Sequence, residues 1–475
     1  MTQQPEIGKA LNWSAIDTVV QFVASFIVMI VLARMLAPED FGLMAMLALF
    51  VTVAGIFVDS GFSQALIQRQ KITSVDESTL FFFTIAIGTI ISILLCMTAP
   101  WIAGFYEQPL LEMLTYWMAL NLWINTFSTI HSTLLTKKLD FKTTTKVGTV
   151  AAIISGVLAV VMALQGWGVW SLVGQVLSAT IVRVILFWWL HSWRPTMEFS
   201  FDALRSLFSF GGFLLWTGLL NAIYLNLYGL LIGKFHSAQD AGFYVQASRI
   251  QKLPANLLGN TVGRVVFPVF STLADDKDRL VRGMRRALVA LMFINFPIML
   301  GMMYAAEPLI LLLLGGKWLP MVPVFQALIV VGLLFPLQML NINALKSLGK
   351  SVLIARIQII KLLVAISLLL FTSPYGILMV AYGQVIATIF AFFVNTHCSK
   401  MLLNYGWKEQ LRDIAPYFFI AIVLMLLCWG CTIVFDLPDQ VRLVLVVLFG
   451  ISYVLSCKLA KLSAFNDIFN IIRRK

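Results

Sequence analysis

Three cations fall within one apolar run: Arg249, Lys252 and Arg264. At about 100° per residue, a helix through this run places Lys252 about 60° to one side of Arg249 and Arg264 about 60° to the other, so all three share a face. A charge in mid-run costs several kcal/mol unless it meets a partner or water. Pro254, between Lys252 and Arg264, kinks such a helix and frees a carbonyl, which is tolerated best beside a cavity. Lys361 and Arg356 add cations further along the chain, while the deep acids are few: Asp17 and Asp59. An interior with more fixed cations than anions suits an anionic ligand such as a pyrophosphate, gripped by Arg249, Lys252, Arg264 and Lys361.

Plainer readings stand beside this one. Arg264 can pair with Asp17 or Asp59 instead of touching a ligand. Asp17 and Asp59 can hold a proton or sodium ion for coupling, or serve as interhelical partners of a base. Arg183 and Arg356 lie close enough to an end of their runs to snorkel to the surface. No other chemistry is apparent. Cys428 and Cys431 form C-W-G-C inside an apolar run, where a thiol keeps its proton and packs as a small hydrophobe. The four histidines lack metal-ligand spacing, and no P-loop, GxGxxG or nucleophile elbow occurs, so no cofactor or metal is expected and no enzyme activity.

The elements that position these cations follow from composition. The 475 residues are 60% hydrophobic and 12% charged, far more apolar than a soluble domain. Apolar runs recur along the chain, at 11–34, 43–63, 79–100, 111–136, 147–164, 168–190, 207–233, 241–270, 287–306, 319–345, 351–371, 376–397, 414–434 and 440–462. These predict an all-α polytopic membrane protein of about fourteen transmembrane helices. The first run is too long for a signal-peptide core and is read as a retained span.

With both termini cytosolic, 24 of the 34 Lys and Arg fall on the inner side, 4 outside and 6 within spans. That bias supports the assignment, because positive loops stay inside. The net charge of +12 therefore reflects orientation against anionic membrane lipids, not nucleic acid binding.

The stretch "LARMLAPEDFG" at 32–42 has an echo in "LIGKFHSAQDAG" at 231–242, with Asp40 and Asp240 each two residues before a glycine. Pro38 with Glu39 and Asp40 opens a helix, and Ser237 with Asp240 makes a capping box. Six spans separate the copies. The spacing therefore predicts a parallel repeat of two six-helix lobes, 1–195 and 207–405, as recurs in secondary transporters. Residues 196–206 read as an amphipathic linker helix capped by Ser200, and 406–475 as two extra C-terminal spans with an interfacial tail.

These motifs, with "DSGFSQALIQR" (59–69), "LLTKKLDFK" (134–142), "AGFYVQA" (241–247), "RVVFPVFSTLADD" (264–276) and "GGKW" (315–318), give nearly the whole chain a resemblance to the multidrug/oligosaccharidyl-lipid/polysaccharide exporter superfamily. Within it the chain is most similar to Wzx-type polysaccharide flippases, notably the colanic acid exporter branch. The resemblance implies two lobes around a central cavity. It also implies flipping of an undecaprenyl-pyrophosphate-linked oligosaccharide across a bacterial inner membrane, with a polysaccharide polymerase and a chain-length regulator as partners. Of the cavity charges only Arg264 lies in a matching motif. A lipid II or multidrug exporter of the same superfamily is the nearer alternative. A polysaccharide polymerase or glycosyltransferase is the more distant one, for which Asp275-Asp276 in a short basic loop is the candidate acid pair.

Overall fold

The computed structural model describes residues 21, 23–59, 61–69 and 72–462, without the side chains of 206–214, 217, 256–268 and 351. The described chain is helical: α1 (Val23–Met35), α2 (Pro38–Asp59), α3 (Phe62–Gln68), α4 (Ser74–Tyr106), α5 (Leu110–Lys137), α6 (Phe141–Leu164), α7 (Trp170–Leu190) and α8 (Phe201–Phe235). Then follow α9 (Ala238–Thr272), α10 (Lys277–Tyr304), α11 (Ala306–Leu313), α12 (Val322–Ser347), α13 (Ser351–Thr372), α14 (Ile377–Leu403), α15 (Trp407–Phe435) and α16 (Asp439–Leu459). Eleven of the described helices are long and apolar enough to cross a bilayer. Of the fourteen expected spans, α5 and α9 form as long helices but carry more polar residues, and the first begins outside the described residues. The chain is an all-α polytopic membrane protein.

Two local expectations change. Ser200 does cap a helix, accepting from the Ala203 N–H at 3.3 Å, but that helix runs on as α8 for 35 residues. Gly211 and Gly212 weaken a helix without ending it, and no proline intervenes before Phe235. After α2 the chain does not run straight into a loop. Gly61 takes φ +70°, a left-handed turn natural to glycine, and starts α3, whose last carbonyls are held by the Lys137 ammonium, at 2.9 Å from the Leu66 oxygen. The C-terminal tail expected to lie at the interface falls outside the described residues.

The chain forms two compact units, Met1–Gly242 and Phe243–Lys475. In the first, α4 packs on α5, α6 on α7, and α8 along α2. Leu43, Met46, Leu47, Leu111, Leu114 and Met118 fill its main core. The two echoed turns meet here. A Cβ on Gly42 would lie 1.6 Å from the Ala238 carbonyl oxygen, and one on Gly242 1.9 Å from the Pro38 carbonyl oxygen. The first turns of α2 and α9 thus cross backbone on backbone, reciprocally, at spacings that admit glycine alone. Asp40 accepts from the Ala37 N–H at 2.9 Å, and Ser237 Oγ accepts from the Asp240 N–H at 3.0 Å, so each turn supplies its own cap.

In the second unit α10 is the hub, packing on α12, α15 and α16, while α14 packs on α12 and α13. Buried amides tie these helices. Asn341 donates to Gln410 Oε1 at 3.0 Å and its oxygen accepts from Gln410 Nε2 at 2.9 Å and from Ser399 Oγ at 2.6 Å. This network closes nearly every polar atom in an apolar surrounding, where an unpaired one would cost 1–3 kcal/mol, as estimated for buried groups. Nearby, Arg285 pairs with Asp413 at 2.7 Å, and the Tyr405 hydroxyl donates to the same carboxylate at 2.8 Å. These contacts dock α15, expected outside the repeat, onto α10, α12 and α14.

Pro336 breaks the ladder of α12 by leaving the Gly332 carbonyl without an i+4 N–H. Asn295 of α10 fills the gap, donating to the Gly332 oxygen at 3.2 Å and to the Leu333 oxygen at 3.3 Å.

Candidate functional site

Helix α9 is fixed in the second unit by one side. Phe243, Tyr244, Gln246, Ala247, Ile250, Gln251 and Ala255 are buried. Phe243 meets the fully buried Trp318 edge-on at 6.0 Å, which gives "GGKW" a packing role. Tyr244 is hydrogen-bonded to Gln384 of α14. A Cβ on Gly332 would strike the Gln251 amide at 2.2 Å, so Gln251 lies directly against the broken turn of α12.

The opposite side of α9 carries the cations. Arg249 is exposed and Lys252 half-exposed. Arg249 is eleven residues past the first residue of α9, a rise of about 16 Å, near the middle of a bilayer core about 30 Å thick. An accessible guanidinium at that depth faces either hydrocarbon or water, and the cost of the first choice favours water. Among the described residues no carboxylate pairs with either side chain. Pro254 lies at the next turn and deprives the Ile250 carbonyl of its helical donor. Of the three cations expected on one face of this helix, Arg249 and Lys252 are the two whose side chains are described. Arg264 lies on the same helix, but its side chain is outside the described residues, and so is Asp17.

The other expected residues are placed differently. Asp59, half-exposed at the end of α2, accepts from Ser63 Oγ at 2.5 Å across the α2–α3 break. Lys361 is not accessible: it is 6% exposed on the strip of α13 that packs against α14. Arg183 is half-buried on α7 and Arg356 exposed on α13. Cys428 and Cys431 are free thiols, and among the described residues no three His, Cys, Asp or Glu side chains gather as a metal would need.

Two features carried no sequence signal. His131 and His191 share a hydrogen bond between their Nδ1 atoms at 3.0 Å, both buried. Burial pushes His191 below its ordinary value, Lys138 and Arg194 add to that, and Asp140 opposes it. Trp188 and Trp193 stand edge-on to His131 at 5.1 and 5.3 Å, so the pair is walled by aromatics. In the second unit, α10 and α16 enclose an apolar groove of about 500 Å³ between Pro297, Met302, Val446 and Phe449.

The described geometry can therefore hold an anion at mid-span on α9 and a hydrocarbon chain along α10 and α16. The chain is 27% identical over 452 residues to the teichuronic acid biosynthesis protein TuaB of Bacillus subtilis, covering 94% of this chain and 93% of that one. It is 28% identical over 329 residues to the lipopolysaccharide biosynthesis protein WzxC of Escherichia coli, covering 68% and 66%. Among solved structures it shares its fold with the lipid II flippase MurJ in an inward closed conformation, at TM-score 0.76 and 14% identity over 95% of this chain and 99% of that one. A multidrug resistance MATE family transporter follows at TM-score 0.64 and 14% identity, over 83% and 98%. The family described as "Polysaccharide biosynthesis protein" matches residues 31–323, more than half of the sequence, and the chain belongs to that family.

Proposed function

We propose that this protein flips an undecaprenyl-pyrophosphate-linked oligosaccharide from the cytoplasmic to the periplasmic leaflet of a bacterial inner membrane by alternating access, with both termini in the cytosol. The observation that carries this reading is the accessible pair Arg249 and Lys252 on α9, which no carboxylate partners among the described residues. A pyrophosphate brings several acceptor oxygens and at least two negative charges, and a planar guanidinium with a point-charge ammonium one turn on can take both phosphates. Arg264, which helical spacing would put on that face, is a further candidate for the same role. The apolar groove between α10 and α16 offers hydrocarbon contact to a polyprenyl chain at low cost. Relatives named for teichuronic acid and lipopolysaccharide biosynthesis support a polysaccharide precursor over other lipids. An exporter of cationic drugs would call for acids at mid-span, where this chain places bases. The chain is read as a transporter, not an enzyme, working beside a polymerase and a chain-length regulator.

The test is deletion in the source bacterium. Lipid-linked repeat units should accumulate on the inner leaflet while surface polysaccharide falls, and the wild-type gene should restore both. Unchanged surface polysaccharide in a strain without a second flippase would overturn the reading.

A further inference from the structure

Lys361 stands apart from Arg249 and Lys252. On α13 it lies in a strip of buried residues one turn apart, with Ile357, Ala365 and Leu369. Ile357 belongs to an apolar cluster with Leu345 of α12 and Cys398 of α14, backed by Leu353, Ile354 and Val394. Lys361 lies one turn beyond this cluster. No hydrogen bond or ion pair reaches its Nζ among the described residues. The titratable group facing it from α14 is the Cys398 thiol. The α12 residues of the cluster one turn away, Ile342 and Leu345, carry no titrating group, and its own strip holds no other charge.

An ammonium in such surroundings loses its hydration and gains nothing in return. An arginine would have to bear that cost, because its guanidinium does not deprotonate in proteins. A lysine escapes it by shedding a proton, and burial lowers lysine values by up to several units for this reason. Arg249, which must keep its charge for an anion, is exposed; among the described residues the one Lys or Arg side chain buried in a helix interface, Lys361, is of the kind that can become neutral. Helix α13 is held mainly by α14, with lesser contacts to α12, and its far side presents Ile359, Ile360, Leu363 and Phe371 outward.

We propose that Lys361 is a proton-binding site of the transport cycle, neutral while α13 and α14 close over it and protonated when its side chain meets water. The reaction is a simple acid–base exchange: Lys–NH3⁺ gives its proton to water and keeps the nitrogen lone pair, so one proton is released on each closure and taken up on each opening. The cycle itself rests on the flippase reading above. The proton site does not, because linkage makes it visible in stability alone.

The experiment uses the full chain, purified and reconstituted. The folded form binds fewer protons than the unfolded form wherever Lys361 is neutral in one and charged in the other. Stability should therefore rise with pH up to roughly 10.4, the free lysine value, by about tenfold in the folding equilibrium per pH unit. In Lys361→Met, which keeps the length of the side chain without a titrating group, that part of the slope should vanish and melting near pH 7 should move upward. In vesicles given a synthetic lipid-linked oligosaccharide, wild-type flipping should respond to an imposed pH gradient at constant membrane potential, and Lys361→Met flipping should lose that response. An unchanged melting slope in Lys361→Met overturns the proton site. A vanished slope with an unchanged gradient response overturns its coupling to transport. Should the wild type flip no lipid-linked oligosaccharide, the flippase reading falls, and the melting slope still decides the proton site by itself.

Discussion

Helices α2 and α9 begin as copies of one another and end as different objects. Both open with an acid-bearing turn followed two residues later by glycine, and those glycines meet. Beyond the opening turn they diverge at the same offset of 200 positions: Met46, Leu49, Thr52 and Ala54 in α2 correspond to Gln246, Arg249, Lys252 and Pro254 in α9. One copy has become an almost wholly apolar helix between its terminal acids, and the other a helix with a proline and two accessible cations. What the two retain is a backbone crossing, which tolerates no side chain. What they vary are the side chains beyond the crossing, which the crossing leaves unconstrained.

The comparison breaks most sharply at the glycines. Changing Gly42 or Gly242 to Val puts atoms where a carbonyl already sits, under 2 Å away. Overpacking of this kind costs about 3 kcal/mol or more, so folded protein should fall steeply in fluorescence-detected size exclusion. The two substitutions should fall together if the crossing is reciprocal; a mild effect at one and a severe effect at the other would show that only one copy is held.

A smaller effect is expected where the copies differ. Arg249→Leu installs the residue that α2 carries at the matching position. Folded protein should stay near wild type, because an accessible side chain leaves no buried partner orphaned. Flipping measured in vesicles should drop by roughly 10- to 100-fold, the worth of a charge-assisted hydrogen bond. Retained flipping would mean that the divergence of α9 serves something other than the anion.

The smallest effect concerns the caps, where the copies use different chemistry for the same purpose. Asp40→Ala and Ser237→Ala should each cost about 1 kcal/mol in thermal unfolding. A cost at one turn only would show that the two copies no longer share a way of starting.

Much of this was legible in the sequence. The spans follow from long apolar runs, the opening turns from Pro38, Ser237 and the acids after them, and the shared side of Arg249 and Lys252 on α9 from their spacing. Ser200 gave its cap but not the continuity of α8, because glycine weakens a helix without a fixed position for its end. The placement of Lys361 was not legible beside that of Arg249. Both are bases in long apolar runs, and the apolar residues of α13 are spread around the helix, so nothing in its pattern marks the strip that packs. The amide network of Asn341, Gln410 and Ser399 left no trace either. Its members lie 58 and 69 residues apart, on three helices whose sequence patterns are set by lipid contact and not by one another.

The donor that Asn295 extends to α12 has a consequence for how this chain can change. The Gly332 carbonyl needs that donor only because Pro336 has removed the usual one. Replace Pro336 with an ordinary helix former and the carbonyl is satisfied from within α12, so the Asn295 amide becomes a buried donor with less to hold. Replace Asn295 with leucine while the proline stays, and the carbonyl is left bare. Each single step is penalised while the double step is not, so the two positions, 41 apart in sequence, should drift as one locus: lineages that keep the proline keep the amide, and lineages that lose one are free to lose the other.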